Sequence, residues 1–375
     1  MGRRTMIWMA IASVLTMVQC SGDGDNGGGT TTAPPPAGSS ASQFAYAANF
    51  NSDNVSMFAV DDNGALTPLG VPLATGHHPH SINVDSRGRF VYVSNHDDAG
   101  NNHLSGFTIN RNTGVLTPIP GPLPVGAGTH ASVFDQDGQF LYVINGVAAS
   151  TITAYAVDQT TGTLTQIGVS LAAGTHAHNL TVDPANTFIY LASDGSNNIW
   201  TYAIDQATGA LTAVGLPVPG ADRPAAVVVH PSGSFAYAVN EGDLVQVFTV
   251  NQGTGALTPF APPTIGAGTT AHSIIIDTTG TFLYVGNINA NNVSGYRINQ
   301  TTGELSPLPN SPYATGLQPH SLAINNGFLY TANFDSDNIS RFSIDPTTGV
   351  LTAAGVFADT TAVDGTNGIG ITQFP

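Results

Sequence analysis

One short phrase is written seven times in this chain. Phe-x-Tyr recurs with its tyrosine at Tyr46, Tyr92, Tyr142, Tyr190, Tyr237, Tyr284 and Tyr330, at steps of 46 to 50 residues. A second marker, Gly-x-Leu-Thr or its Ser variant, begins at Gly64, Gly114, Gly162, Gly209, Gly255, Gly303 and Gly349. A repeat of this length constrains the fold more tightly than length or composition, because it specifies one supersecondary unit stacked on copies of itself.

Each unit parses into four short strands. Ser81 to Val84 is brief and apolar, and Asp85-Ser-Arg-Gly88 turns the chain into Phe90 to Asn95. A polar loop leads to Leu104 to Ile109, and Asn110-Arg-Asn-Thr-Gly114 turns it into Val115 to Ile119. Both turns are rich in Asp or Asn and end on Gly, as short hairpins with a left-handed position require. Four-stranded antiparallel units built from β-branched and aromatic residues read as propeller blades, and no stretch shows a helical period.

The two ends complete the count. The first unit begins at its Phe-x-Tyr strand and lacks an inner strand, while Asn367 to Thr372 reads as an inner strand with nothing after it. The expectation is an all-β, seven-bladed β-propeller whose C-terminal strand pairs with the first blade and closes the ring. An open β-solenoid would leave that last strand unexplained and its edge exposed.

Residues ahead of the repeats read as an address. Arg3 and Arg4 precede an apolar run, Met6 to Val18, too short to span a bilayer and suited to a signal peptide over 1–19. Cys20, the only cysteine, stands where a lipid-modified cysteine would follow such a leader. Residues 20–42 form a Gly, Ser, Thr and Pro-rich tether, and the propeller occupies 43–375. The protein is expected to be exported, periplasmic or at the cell surface, touching a membrane only through a lipid anchor, and monomeric. There is no lysine, and the formal net charge is −16, which argues against a nucleic-acid partner.

Pro-His or Thr-x-x-His openings, Asp-x-x-Gly-x-Phe-x-Tyr-x-x-Asn and Thr-Gly-x-Leu-Thr together resemble the seven-bladed lactonase family, which includes propeller-type 6-phosphogluconolactonases. The resemblance covers about residues 43–375. It implies the propeller fold, no cofactor, and ring opening of a sugar lactone or similar small lactone. Family members carry an Arg-His pair opening one inner strand, then His-Pro-x-Gly, then Asn-Glu. His230-Pro-Ser-Gly233 and Asn240-Glu241 match this pattern, and His176-Ala-His178 matches the family's His-x-His before the preceding blade. The Arg-His positions hold Ala225 and Ala226, with Arg223 two residues early.

Inner-strand starts and Phe-x-Tyr strand ends should ring one mouth of the central channel. The starts are His80, His130, His178, Ala225, His272, His320 and Asn367; the strand ends are Asn49, Asn95, Asn145, Ser193, Asn240, Asn287 and Asn333. Alternation along the strand puts His80 on the face of Ile82 and Val84, between blades. The five histidines are therefore read either as blade-to-blade hydrogen bonders or as ligand contacts, and no metal site is expected.

What repeats is architecture, so the copy that breaks the repeat is the candidate for function. Glu241 is one of two glutamates, Arg223 is the one arginine expected at the mouth, and Asp194 ends the neighbouring blade beside His178. Alanine at 225 is expected to leave room among them. Glu241 or His178 would serve as general base and Arg223 would stabilise an oxyanion, with Asp194, His80, His130, His272 and His320 contacting the ligand. The alternative is a non-catalytic propeller that binds a small ligand, glycan or partner protein through the same face.

Overall fold

The computed structural model describes residues 43–96, 104–358 and 366–373, apart from single positions 122, 124, 127, 147 and 221. The expected leader, Cys20 and tether lie outside the described residues. No helix occurs among them, so none is long and apolar enough to cross a membrane. Seven antiparallel sheets follow one another, each running outward from an inner strand. Blade 5 is typical: Pro224–Val229, Phe235–Asn240, Leu244–Val250 and Leu257–Gly266. The inner strands touch their neighbours in a closed circle, the arrangement of a seven-bladed propeller around a central channel.

The circle closes as the repeat count requires. Thr366–Gln373 pairs antiparallel with Gln43–Asn49, matching Phe44 to Thr372, Tyr46 to Gly370 and Ala48 to Gly368. The first blade is thus assembled from both ends of the chain. Ile369 is buried in the layer it shares with Ala45, Ala47, Ala323 and Tyr330. The Phe-x-Tyr strands are buried along their whole length in six blades, as in Phe140–Asn145, Phe188–Ser193 and Phe235–Asn240, and in blade 7 only Phe328 is partly exposed. Each blade is covered on both faces by its neighbours, so these strands are apolar without alternation.

The two sequence markers are the halves of one latch. In six of the seven blades the tyrosine hydroxyl donates to the backbone carbonyl of the Gly-x-Leu-Thr glycine in the next blade. Tyr46 reaches Gly114 at 2.9 Å, Tyr190 reaches Gly255 at 3.0 Å, Tyr237 reaches Gly303 at 2.9 Å and Tyr284 reaches Gly349 at 2.7 Å. Tyr92 makes the same bond to Gly162, and Tyr330 closes the ring on Gly64 at 2.7 Å. Tyr142 alone has a buried hydroxyl without a partner. The glycine cannot be replaced cheaply: Gly303 has φ +76°, and a Cβ there would lie 2.4 Å from the ring of Phe235. Burial pushes these hydroxyls well above the usual phenol range, so they remain donors.

At the opposite end of the Phe-x-Tyr strand in blades 2, 3, 4 and 6, a turn aspartate accepts two backbone N–H groups. Asp135 holds those of Gln139 and Phe140 at 2.7 and 2.8 Å; Asp183 holds those of Thr187 and Phe188 at 2.6 and 2.7 Å. His230 takes this place in blade 5. Its Nδ1 lies 2.8 Å from the Ser232 hydroxyl and its Nε2 2.9 Å from the Gly280 carbonyl of the next blade. The histidine of His-Pro-x-Gly is therefore a turn and packing residue, at the end of its blade away from Glu241.

Candidate site at the channel mouth

A one-residue bulge decides where the inner histidines point. Pro79 pairs with Asn95 and Ser81 with Ser94, which leaves His80 as the extra residue. The same shift isolates His178, Ala225, His272 and His320. A bulge cancels the alternation of a strand at that point, so parity with Ile82 and Val84 does not govern His80.

The rings meet around the mouth. Centroids are 4.6 Å apart for His80 and His130, 5.1 Å for His130 and His178, 5.7 Å for His178 and His272, and 5.3 Å for His272 and His320. Phe334 and Phe50 complete the circuit, 5.1 Å from His320 and 6.1 Å from His80, with 5.9 Å between them. His80 Nδ1 lies 3.2 Å from the His130 carbonyl, a hydrogen bond from blade to blade. Burial first, and neighbouring imidazoles second, hold His80, His130 and His272 well below the usual histidine range; His178 behaves alike. They form a neutral annulus at pH 7. Among the described residues no group of three or more His, Cys, Asp or Glu is placed to hold a metal ion.

Ala225 does not open the room expected of it. It is fully buried, and the imidazoles of His178 and His272 close over its blade. The space that matters is one layer further out. There, in blades 2 to 7, the residue after the strand end donates its N–H to the carbonyl of a residue two before the bulge. The pairs include Asp194 with His176 at 3.1 Å, Glu241 with Arg223 at 3.0 Å, Ile288 with Thr270 at 2.9 Å and Phe334 with Gln318 at 2.9 Å. His176, Arg223, Thr270 and Gln318 all have φ between 48° and 57°. The backbone repeats in this layer while the side chains differ from blade to blade.

Blades 4 and 5 fill the layer with charge. Arg223 Nη2 lies 2.5 Å from Glu241 Oε2 and 3.5 Å from Asp194 Oδ2, in preference to the adjacent Asp222. Asp194 Oδ2 is 4.0 Å from His178 Nε2, and its Oδ1 is 3.9 Å from His176 Nδ1. The Asn197 side chain accepts the Arg223 backbone N–H at 2.9 Å, which fixes the strained turn that aims the guanidinium inward. The Glu241 and Asp194 side chains are 4% and 6% exposed, and that of Arg223 is 53% exposed. Two desolvated carboxylates thus share one cation that still faces solvent. Burial raises both acids above the usual carboxylate range, opposed by Arg223 for Glu241 and by His176 and Arg223 for Asp194. Glu241 Oε1 and His178 Nδ1 are buried without a protein hydrogen-bond partner. Buried polar atoms of this kind are usually satisfied by ordered water, an ion or a ligand.

Sequence position had brought Glu241, Arg223, Asp194 and His178 together, and the structure places them in one cluster. It sets His80, His130, His272 and His320 in the annulus beneath. In the sequence His176 stands out only as the first residue of the family's His-x-His, and Phe50 and Phe334 become visible only when the residues after the strand ends are aligned. The strand-end asparagines cap loops, as when Asn287 Nδ2 donates to Asn292 at 2.7 Å and Ser294 at 2.9 Å. A separate open groove of about 420 Å³ lies between the outer strands of blades 5 and 6, lined by Phe260, Ile265 and Glu304 and by none of the mouth residues.

Fold and mouth together define a class: seven-bladed propellers whose distinctive residues gather at one end of the central channel. The chain matches the family described as lactonase, 7-bladed beta-propeller, over residues 37–133, 129–228 and 218–362, and it belongs to that family. No curated protein matches it in sequence. Among solved structures, a Bacteroides uniformis protein carrying the provisional name 6-phosphogluconolactonase is similar with a TM-score of 0.76 at 20% identity, over 89% of this chain and 100% of that one. The Pseudomonas aeruginosa periplasmic gluconolactonase PpgL gives 0.75 at 19% identity over 89% and 100%. A Lactobacillus plantarum protein gives 0.72 at 19% over 88% and 99%. At these identities the likeness is one of fold.

Proposed function

We propose that this protein hydrolyses a small neutral lactone at the channel mouth, with Glu241 as general base. The observation that carries this is the state of the Glu241 carboxyl. One oxygen is held by Arg223, the other is buried and unpartnered, and burial raises its proton affinity toward the range a base needs near neutral pH. Glu241 Oε1 would take a proton from water as that water's oxygen bonds to the lactone carbonyl carbon. The remaining N–H groups of Arg223 would stabilise the carbonyl oxygen as it becomes an oxyanion. When the tetrahedral centre collapses, the ring C–O bond breaks, and the proton on Glu241 passes to the departing alkoxide. The product is a hydroxy acid, and the base is regenerated. His178, neutral and near Asp194, would bind the incoming ring.

Charge supports a substrate without phosphate. One arginine faces two carboxylates, and burial holds His80, His130, His178 and His272 neutral, so the cluster has no arginine to spare for a phosphoryl group. The gluconolactonase name of the similar P. aeruginosa protein is consistent with this chemistry, and the leader and tether read in the sequence would place it outside the cytoplasm. A second reading, binding without turnover, is favoured by the double engagement of Arg223, which leaves it partly neutralised.

Titrimetric hydrolysis of glucono-1,5-lactone and simple γ- and δ-lactones separates the two. Wild-type protein should exceed spontaneous hydrolysis, and Glu241→Gln should lose about 10²- to 10⁴-fold. Equal rates for the two proteins would end the hydrolytic reading.

A further inference from the structure

The mouth carries a wall that ring opening alone does not use. Blades 7 and 1 place Phe334 and Phe50 at the positions where blades 4 and 5 place Asp194 and Glu241. Phe50 lies flat on His78, with centroids 4.3 Å apart and parallel planes, and Phe334 stands edge-on to Phe50 at 5.9 Å. All three residues are half-buried. In a ring of seven, blade 1 lies opposite the seam between blades 4 and 5. The aromatic wall therefore faces the Glu241 and Arg223 cluster across the channel.

Polar groups edge this wall. Gln318 Nε2 donates to Asp335 Oδ2 at 2.5 Å, and His77 Nε2 lies 3.9 Å from Asp53 Oδ2. Aromatic faces bordered by amide and carboxylate groups suit a pyranose, whose C–H face packs on the rings while its hydroxyls bond the rim. An alkyl chain would strip water from that rim and return no hydrogen bonds. From the His178 side of the cluster the wall is reached only through successive ring contacts, His178 to His272 at 5.7 Å, His272 to His320 at 5.3 Å and His320 to Phe334 at 5.1 Å, so a ligand that meets both Glu241 and Phe50 needs a ring for each.

We propose that Phe50, Phe334 and His78 form a sugar-stacking subsite. The ligand of the mouth is then a neutral aldonolactone bearing a glycosyl substituent, with its lactone ring at Glu241 and its glycosyl ring on the aromatic wall. The lactone half of this assignment rests on the hydrolytic reading above; the stacking half does not.

The test compares lactobiono-1,5-lactone, glucono-1,5-lactone and δ-decalactone as substrates of the wild type, Phe50→Leu and Phe334→Leu. Leucine keeps apolar volume and removes the flat face, and a ratio of two substrates on one preparation is insensitive to any misfolded fraction. The wild type should prefer lactobionolactone over gluconolactone by about tenfold in kcat/KM, mainly through KM, and each leucine variant should lower that ratio by about threefold or more. A ratio unchanged in both variants, or a preference for δ-decalactone, overturns the subsite. If no lactone is turned over, cellobiose is titrated calorimetrically into the same proteins. Binding weakened by both substitutions upholds the wall while the hydrolytic reading falls; absence of binding removes the wall as well.

Discussion

The latch and the mouth are built on the same sevenfold frame and treat it in opposite ways. At the latch, a Phe-x-Tyr strand meets a Gly-x-Leu-Thr turn in the next blade, and the same residue types recur in all seven blades. At the mouth, the left-handed turn and its N–H to carbonyl bond recur in blades 2 to 7, yet the residues after the seven strand ends are Phe50, His96, Gly146, Asp194, Glu241, Ile288 and Phe334. The latch shows what seven blades need in order to stay together. The mouth shows what they are free to change, and one end of the channel therefore becomes acidic on one side and aromatic on the other.

Removing residues 366–375 should break the frame itself. The truncated chain loses the inner strand of blade 1, the burial of Ile369, and the partners of a row of backbone groups on Gln43–Asn49. The loss should exceed about 5 kcal/mol, comparable with the whole stability of many domains. Calorimetry should find no cooperative transition or a greatly lowered one; melting like the full chain would rule out this closure. Next in size, Gly303→Ala puts a Cβ into a left-handed position already crowded by Phe235, and should cost about 2–5 kcal/mol in a denaturant titration. An exposed left-handed glycine without such a neighbour, Gly215, should tolerate alanine better. The smallest effect sharpens the contrast within the latch. Tyr237→Phe removes a bonded hydroxyl and should cost about 0.5–1.5 kcal/mol, whereas Tyr142→Phe removes an unpartnered one and should be neutral or slightly stabilising. Equal costs for the two would show that the hydroxyls do not hold the blades together.

These differences explain what could be read from the residues alone. The latch was visible as two markers because sevenfold repetition survives without an alignment, but that they touch each other was not, since the contact joins one blade to the next. Closure was visible because a strand without a partner at each end of the chain is a topological statement. The orientation of His80 was not, because a bulge is an extra residue with no residue type of its own, and it reverses what alternation implies. Glu241 and Arg223 stood out by rarity in a chain with two glutamates and no lysine. Phe50 and Phe334 did not, because phenylalanine after an apolar strand reads as core, and only its place opposite the acidic seam gives it another meaning.

The central claim is that the position which breaks the repeat, Glu241, works as a base tuned by its partner Arg223. It is tested most directly by the pH dependence of kcat/KM for lactone hydrolysis in the wild type, Arg223→Met and Glu241→Gln. Burial raises the Glu241 carboxyl and Arg223 opposes that rise, so the base is lost as pH falls through a value above the ordinary carboxylate range of about 4.3. Removing Arg223 takes away the opposition, and the acid limb should move to higher pH with a lower plateau. Removing the Glu241 carboxylate should abolish the limb along with most of the rate. A limb that stays in place without Arg223, or that persists at full rate without Glu241, would contradict the assignment.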